Sequence, residues 1–147
     1  MPRCGDVMTR EPVGCEPADS IPRIAQLMKS EDVGAVPVVE SKTSRKLVGI
    51  VTDRDIVVKV VADGRTVENA TARDAMTNNP VTCREDDDVS KAVALMAERK
   101  VRRIPIVDGS GVLRGIIAQA DIATRVHRDE TTGELVEAIS EPGTVRK

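Results

Sequence analysis

Apolar positions along this chain fall into two kinds of run, and the two kinds alternate. Ile21, Ile24, Ala25 and Met28 follow the i, i+3, i+4 spacing of a helix with one buried face, and Val89, Ala92, Val93 and Met96 do the same further on. Asp19 or Ser20, and Asp87 or Asp88, stand ready as N-caps. After each helix the apolar residues run almost without a break. Ala35 to Val39 and Leu47 to Val51 flank one polar loop, while Arg103 to Val107 and Val112 to Ile117 flank Asp108-Gly109-Ser110-Gly111, so each pair predicts a β-hairpin. Helical spacing then returns from Asp53 to about Ala62, closed near Gly64, and from Gln119 to about Arg128.

These elements belong to one unit written twice. Asp6-Val7-Met8-Thr9 recurs as Asp74-Ala75-Met76-Thr77, and Val36-Pro37-Val38-Val39 as Ile104-Pro105-Ile106-Val107, at a spacing of 68 residues. The spacing falls to 66 for Gly49-Ile50-Val51 against Gly115-Ile116-Ile117, which places two extra residues in the first hairpin loop. Each unit reads as a short strand, helix, strand, strand and helix. Residues 3–64 form the first repeat, 65–70 a polar linker and 71–128 the second repeat, opened by a capping box over Thr71-Ala72-Arg73-Asp74. The tail, 129–147, carries a short amphipathic helix over Glu134 to Ile139. The predicted fold class is α/β, two pseudo-symmetric β-α-β-β-α repeats plus a short C-terminal helix.

Composition narrows the partners. The 22 basic and 24 acidic side chains nearly cancel, so no electrostatic footprint for nucleic acid or an anionic membrane exists. No apolar run reaches the length of a membrane span and the N-terminus lacks the apolar core of a signal peptide, which predicts a cytoplasmic protein. With no Phe, Tyr or Trp, the core must be aliphatic, and a bound base would lie between aliphatic side chains. Cys4, Cys15 and Cys83 are far apart without a Cys-x-x-Cys, and His127 is the single histidine, so neither a metal site nor a disulfide switch is expected. Cys15 and Cys83 hold equivalent positions and read as core residues. Glu85-Asp86-Asp87-Asp88 reads as the acidic opening of a helix, and His127 as surface near a helix end.

One stretch carries chemistry. Val48-Gly49-Ile50-Val51-Thr52-Asp53-Arg54-Asp55 is a strand that runs into a helix opening, where unpaired backbone N–H groups, a hydroxyl and a carboxylate would converge as a phosphorylated ribose requires. Thr52 can donate to a phosphate oxygen, and the Asp55 carboxylate can accept from both ribose hydroxyls. A structural reading competes: Thr52 or Asp53 caps the helix and Asp55 is a first-turn acid. The doubled framework favours the ligand-binding one.

The doubled Met-Thr, Val-Pro-Val-Val and Gly-Ile-Val-Thr-Asp-Arg-Asp signatures resemble the cystathionine β-synthase (CBS) domain in its tandem form, the Bateman module, over residues 3 to 128. The tail further resembles small stand-alone bacterial CBS proteins of the hypoxic response type. The resemblance implies two repeats packed sheet to sheet, association into a disc-like homodimer, and adenosine nucleotides (AMP, ADP or ATP), S-adenosylmethionine or NAD bound in clefts between the repeats. It implies a sensor for signal transduction and energy sensing that acts through a downstream protein, with no catalysis and no required cofactor.

Carried over by position, one cleft takes Thr52 and Asp55 with Thr77, Asn79, Pro80, Val81 and the backbone of Val101, Arg102 and Arg103. The second takes Asp121 with Thr9, Pro12, Val13, Val33, Gly34 and Ala35. There the signature departs from the family, because Ala118 stands where a hydroxyl is expected, and Arg102 is the residue that can face a phosphate in its place. The alternative function is a ligand-independent dimeric interaction scaffold with vestigial clefts. An enzyme finds no support, since no activated nucleophile, metal cluster or Walker-type glycine loop is present.

Overall fold

The structure, a computed structural model, describes residues 2–126, without the side chains of Arg125 and Val126; the tail helix expected over 134–139 and His127 lie outside the described residues. The elements are α1 (Cys4–Val7), β1 (Thr9–Arg10), α2 (Ile21–Glu31), β2 (Ala35–Val39), β3 (Leu47–Thr52), α3 (Asp53–Ile56), α4 (Ala72–Ala75), β4 (Thr77–Asn78), α5 (Val89–Arg99), β5 (Arg103–Val107), β6 (Leu113–Ala118) and α6 (Gln119–Val126). A π-helical turn, Val57–Val61, extends α3, and a 3₁₀ turn covers Val67–Asn69. The order of elements matches the pattern of apolar residues, and both hairpins form.

The sheets sort these elements in a way the repeats do not announce. One sheet has the order β2-β3-β4 and the other β1-β6-β5, so the short strand that opens each sequence repeat pairs with the hairpin of the other repeat. Gly49 and Ile50 of β3 face Asn78 and Thr77 of β4; Gly115 and Ile116 of β6 face Arg10 and Thr9 of β1. The chain accordingly divides into two compact units. Of the described residues, one comprises 12–80 with 111–113, the other 2–11, 81–110 and 114–126.

In the first unit Cys15, Ile21, Ile24, Val36, Val38, Val51 and Val60 form an aliphatic core. Pro37 has no N–H to give a ladder, and it sits on an edge strand where its carbonyl accepts from Cys15 N at 2.9 Å. Residues 65–70 are not a free tether. Ala70 is buried and its carbonyl accepts from Ile21 N at 2.9 Å, while Arg65 pairs with Asp74 at 3.0 Å, so the polar linker is part of this unit. The expected capping box is present in part of its bonds, with Thr71 N donating to Asp74 Oδ2 at 2.9 Å. That backbone hydrogen bond, followed by the Arg65 guanidinium, holds the Asp74 carboxyl below its usual range.

The second unit repeats the design with Cys4, Met8, Cys83, Val89, Val93, Ile104, Ile106, Ile117 and Ile122 in its core. Cys83 lines the edge of β5 as Cys15 lines β2, donating its N–H to Pro105 O at 3.2 Å and accepting from Val107 N at 3.0 Å. Of the N-cap candidates, Ser20 accepts from Arg23 N at 3.3 Å. Asp19 and Asp87 close the preceding turns instead, accepting from Glu16 N and Arg84 N at 2.8 Å each. The bond from Arg84 N depresses the Asp87 carboxyl, and Lys91 at 3.3 Å reinforces the shift.

The second helix of the first repeat is not α-helical throughout. After Ile56 the bonds widen to i+5, with Ala62 N donating to Val57 O at 2.8 Å and Arg65 N to Val60 O at 3.0 Å. Four of its five residues are valine, whose branched Cβ crowds an α-helical turn.

Candidate functional site

The strand β3 delivers Thr52 to the start of α3 with extended backbone (φ −109°), and from there the sequence closes a reciprocal cap. Thr52 N donates to Asp55 Oδ2 at 2.9 Å, and Asp55 N donates to Thr52 Oγ1 at 3.1 Å. Asp53 N donates to Gly34 O at 2.9 Å, and Arg54 N to Asp53 Oδ1 at 2.8 Å. The expectation of unpaired N–H groups here is therefore corrected: each of the four from Thr52 to Asp55 has an acceptor within the chain. An anion at this spot would have to be met by side chains.

The cap leaves those side chains with capacity. Thr52 Oγ1 accepts one bond, and its own proton remains available to donate. Asp55 spends one lone pair of Oδ2 on the cap and receives Lys59 Nζ at 3.3 Å on Oδ1, so each oxygen retains a further acceptor site. Its side chain is 16% exposed, open enough to be reached. Lys59 also donates to Ala75 O at 3.2 Å, which ties the π-helical turn to α4. Sequence reasoning missed Lys59; its i, i+4 spacing from Asp55 was the available signal.

Of the residues expected with Thr52 and Asp55, the first unit contains Thr77, Asn79 and Pro80. Thr77 pairs with Ile50, two residues before Thr52, and Asn79 N donates to Val48 O at 3.2 Å with the residue in left-handed backbone (φ 47°). Gly49 makes this possible: a Cβ there would lie 2.8 Å from Met76 Sδ and 2.9 Å from Thr77 O. Val81 and Val101 to Arg103 belong to the second unit.

The second expected set is divided likewise. Thr9, Arg102 and Asp121 lie in the second unit, where Thr9 pairs with Ile116 and the Arg102 carbonyl accepts from Gln119 N at 2.8 Å, as Gly34 O does from Asp53 N. Pro12, Val13, Val33, Gly34 and Ala35 lie in the first unit, with Ala35 opposite Thr52. Val13, Val33 and Val101 are each about 40% exposed, unlike the buried valines of the strands. Val13 and Val33 were expected around a base, whereas Val101 was expected to contribute its backbone.

Burial pushes the Cys15 thiol up to about 12, so it is neutral and inert near pH 7. Among the described residues no group of three or more His, Cys, Asp or Glu could hold a metal ion, and no helix is long and apolar enough to cross a membrane.

Two hairpins, each running from its second strand into a helix, and two three-stranded sheets describe a tandem α/β module. The chain belongs to the CBS domain family, whose model matches residues 4–62 and 72–128. The uncharacterized protein MK0525 of Methanopyrus kandleri is 38% identical over 118 residues, which cover 80% of this chain but only 59% of that protein. YlbB of Bacillus subtilis, also uncharacterized, is 36% identical over 141 residues, covering 96% of this chain and 93% of YlbB. Among solved structures, Hypoxic Response Protein I with two coordinated zinc ions is 30% identical with a TM-score of 0.74, covering 84% of this chain and 98% of the other. CBSX2 in complex with AMP has a TM-score of 0.78 over 88% of this chain and 99% of the other, at 23% identity, and shares the fold.

Proposed function

We propose that this chain is a regulatory, non-catalytic module that binds an adenosine nucleotide of the AMP, ADP or ATP class, and that it works as a homodimer signalling to a downstream protein. The observation that carries the reading is the state of Thr52 and Asp55 after capping. The hydroxyl keeps a proton to donate and each carboxylate oxygen keeps a lone pair, which are the groups a phosphate oxygen and a vicinal diol require. Thr77, Asn79 and Pro80 of the same unit, with Val81 and Val101 to Arg103, complete the proposed set. A second, weaker set uses Asp121, Thr9, Pro12, Val13, Val33, Gly34 and Ala35, because Ala118 supplies no hydroxyl. The AMP complex of CBSX2 supports the fold's capacity for an adenosine group and carries no residue assignment.

The test is a thermal-shift screen of AMP, ADP, ATP, NAD and S-adenosylmethionine, followed by titration calorimetry of the best ligand. A ligand selective for the native state raises the melting temperature by mass action. Asp55→Asn, which retains an acceptor for Thr52 N, is expected to weaken the tighter event about ten- to a hundred-fold, the roughly 1.5–3 kcal/mol of charge-assisted hydrogen bonds. Asp121→Asn is expected to leave that event nearly unchanged. Should Asp121→Asn abolish it and Asp55→Asn spare it, the primary site has been misassigned. A melt indifferent to every ligand would favour the scaffold reading.

A further inference from the structure

The two carboxylate oxygens of Asp55 are held by donors of different kinds. Oδ2 accepts from Thr52 N at 2.9 Å, a backbone bond that belongs to the cap, whereas Oδ1 faces Lys59 Nζ at 3.3 Å, a side chain outside any motif. We propose that Lys59 is a positioning residue: it sets the plane of the Asp55 carboxylate so that both oxygens meet the two hydroxyls of a ribose at once, which makes the site select ribose over deoxyribose. This role rests on the reading of Asp55 as the diol acceptor and adds the group that gives that acceptor its geometry.

The terminal torsion of an aspartate is broad, so a single hydrogen bond to Oδ2 leaves the carboxylate free to swing about that bond. A second donor on the other oxygen stops the swing. A vicinal diol needs both oxygens aimed together, each accepting from one hydroxyl, while a lone hydroxyl is served by either oxygen over many orientations. Fixing the plane therefore favours the diol far more than it favours a single hydroxyl.

Lys59 is itself held in place. It stands at the middle of the π-helical turn Val57–Val61, and its Nζ also donates to Ala75 O at 3.2 Å, at the end of α4, where a helix leaves its carbonyls without partners of their own. Ala75 precedes Thr77 by two residues, so one ammonium spans from the diol acceptor to the segment that carries Thr77 and Asn79. An i, i+4 ion pair on a helix surface adds little to stability, but this one is spent on a carboxylate whose side chain is only 16% exposed. In sequence a cation stands four residues after the acid in both repeats, Lys59 after Asp55 and Arg125 after Asp121.

The experiment titrates AMP, 2′-deoxy-AMP and adenosine into the full chain by calorimetry, with wild type beside Lys59→Met, Lys59→Arg and Asp55→Asn. Wild type is expected to prefer AMP over 2′-deoxy-AMP about ten-fold, the worth of one hydrogen bond to a charged acceptor. Lys59→Met is expected to weaken AMP about ten-fold and 2′-deoxy-AMP far less, which removes the preference, and to weaken adenosine by the same factor as AMP. Lys59→Arg keeps the cation and is expected to restore most of the preference; Lys59→Gln gives the neutral comparison should the methionine variant not fold. Both nucleotides weakened by one factor would make the residue merely structural, and a loss for AMP that spares adenosine would make it a phosphate contact. Either result overturns the proposal. Asp55→Asn separates this role from the reading beneath it: a wild type without preference, or a preference that Asp55→Asn keeps, removes the diol acceptor and the role of Lys59 with it. A preference lost in Asp55→Asn but kept in Lys59→Met removes the role of Lys59 alone.

Discussion

A methyl group on Gly49 would meet the Met76 side chain and the Thr77 carbonyl at under 3 Å, and the carbonyl is backbone that cannot turn aside. Gly115 faces Met8 and the Thr9 carbonyl in the same way. Gly49→Ala is therefore expected to cost about 1–3 kcal/mol as overpacking, read as a lower urea midpoint, and to loosen β4 with Thr77 on it. Asp87 makes a different demand. Its carboxyl is depressed by the bond from Arg84 N, so it contributes stability above the unfolded carboxylate value of 3.8, and that contribution is lost as pH falls through the lower folded value. Asp87→Asn should be less stable than wild type near neutrality, and the gap between their urea midpoints should close below about pH 4. A gap that persisted at low pH would show that the charge is not what matters. Gly49 and Gly115 were legible in the sequence as members of a recurring motif, and the caps as candidate residues. The exact caps were less so: both Asp19 and Ser20 offer an oxygen, and only the local turn geometry assigns the first to Glu16 N and the second to Arg23 N.

Helices and strands followed from periodicity wherever one face is buried, as in α2 and α5. The second helix of the first repeat broke the rule. A run of valines satisfies an apolar pattern but resists an α-helical turn, and neither periodicity nor capping foretells a widening to i+5 bonds. On this short stretch Val57, Val58 and Val61 are 57%, 44% and 55% exposed, while Val60 is buried. An apolar face of this kind fits a second copy of the chain, which is the homodimer proposed above. Light scattering at micromolar concentration is expected to give twice the chain mass for wild type, and Val57→Lys combined with Val61→Lys to give the single mass with the fold intact by circular dichroism. A wild-type monomer, with and without nucleotide, would remove the dimer from the proposal.

At the scale of the molecule, the doubled signature made the fold readable nearly from end to end. Which strand joins which sheet was not readable. The repeats run in register along the chain, and nothing in Thr9-Arg10 or Thr77-Asn78 specifies the hairpin each will join. Site residues were legible where a motif carries them, as at Thr52 and Asp55. Lys59 lay outside any motif, while Cys15 and Cys83 hold equivalent buried positions beside β2 and β5, as their spacing implied. The traded strands also bear on ancestry. A single repeat folded alone would lack the short strand its hairpin pairs with, and two identical copies could each supply it to the other; the present connectivity is the one that fusing such a swapped pair into one chain would leave. Neither half then has an independent existence to return to, and a cut in residues 65–70 divides the sequence between repeats without dividing the protein between folds.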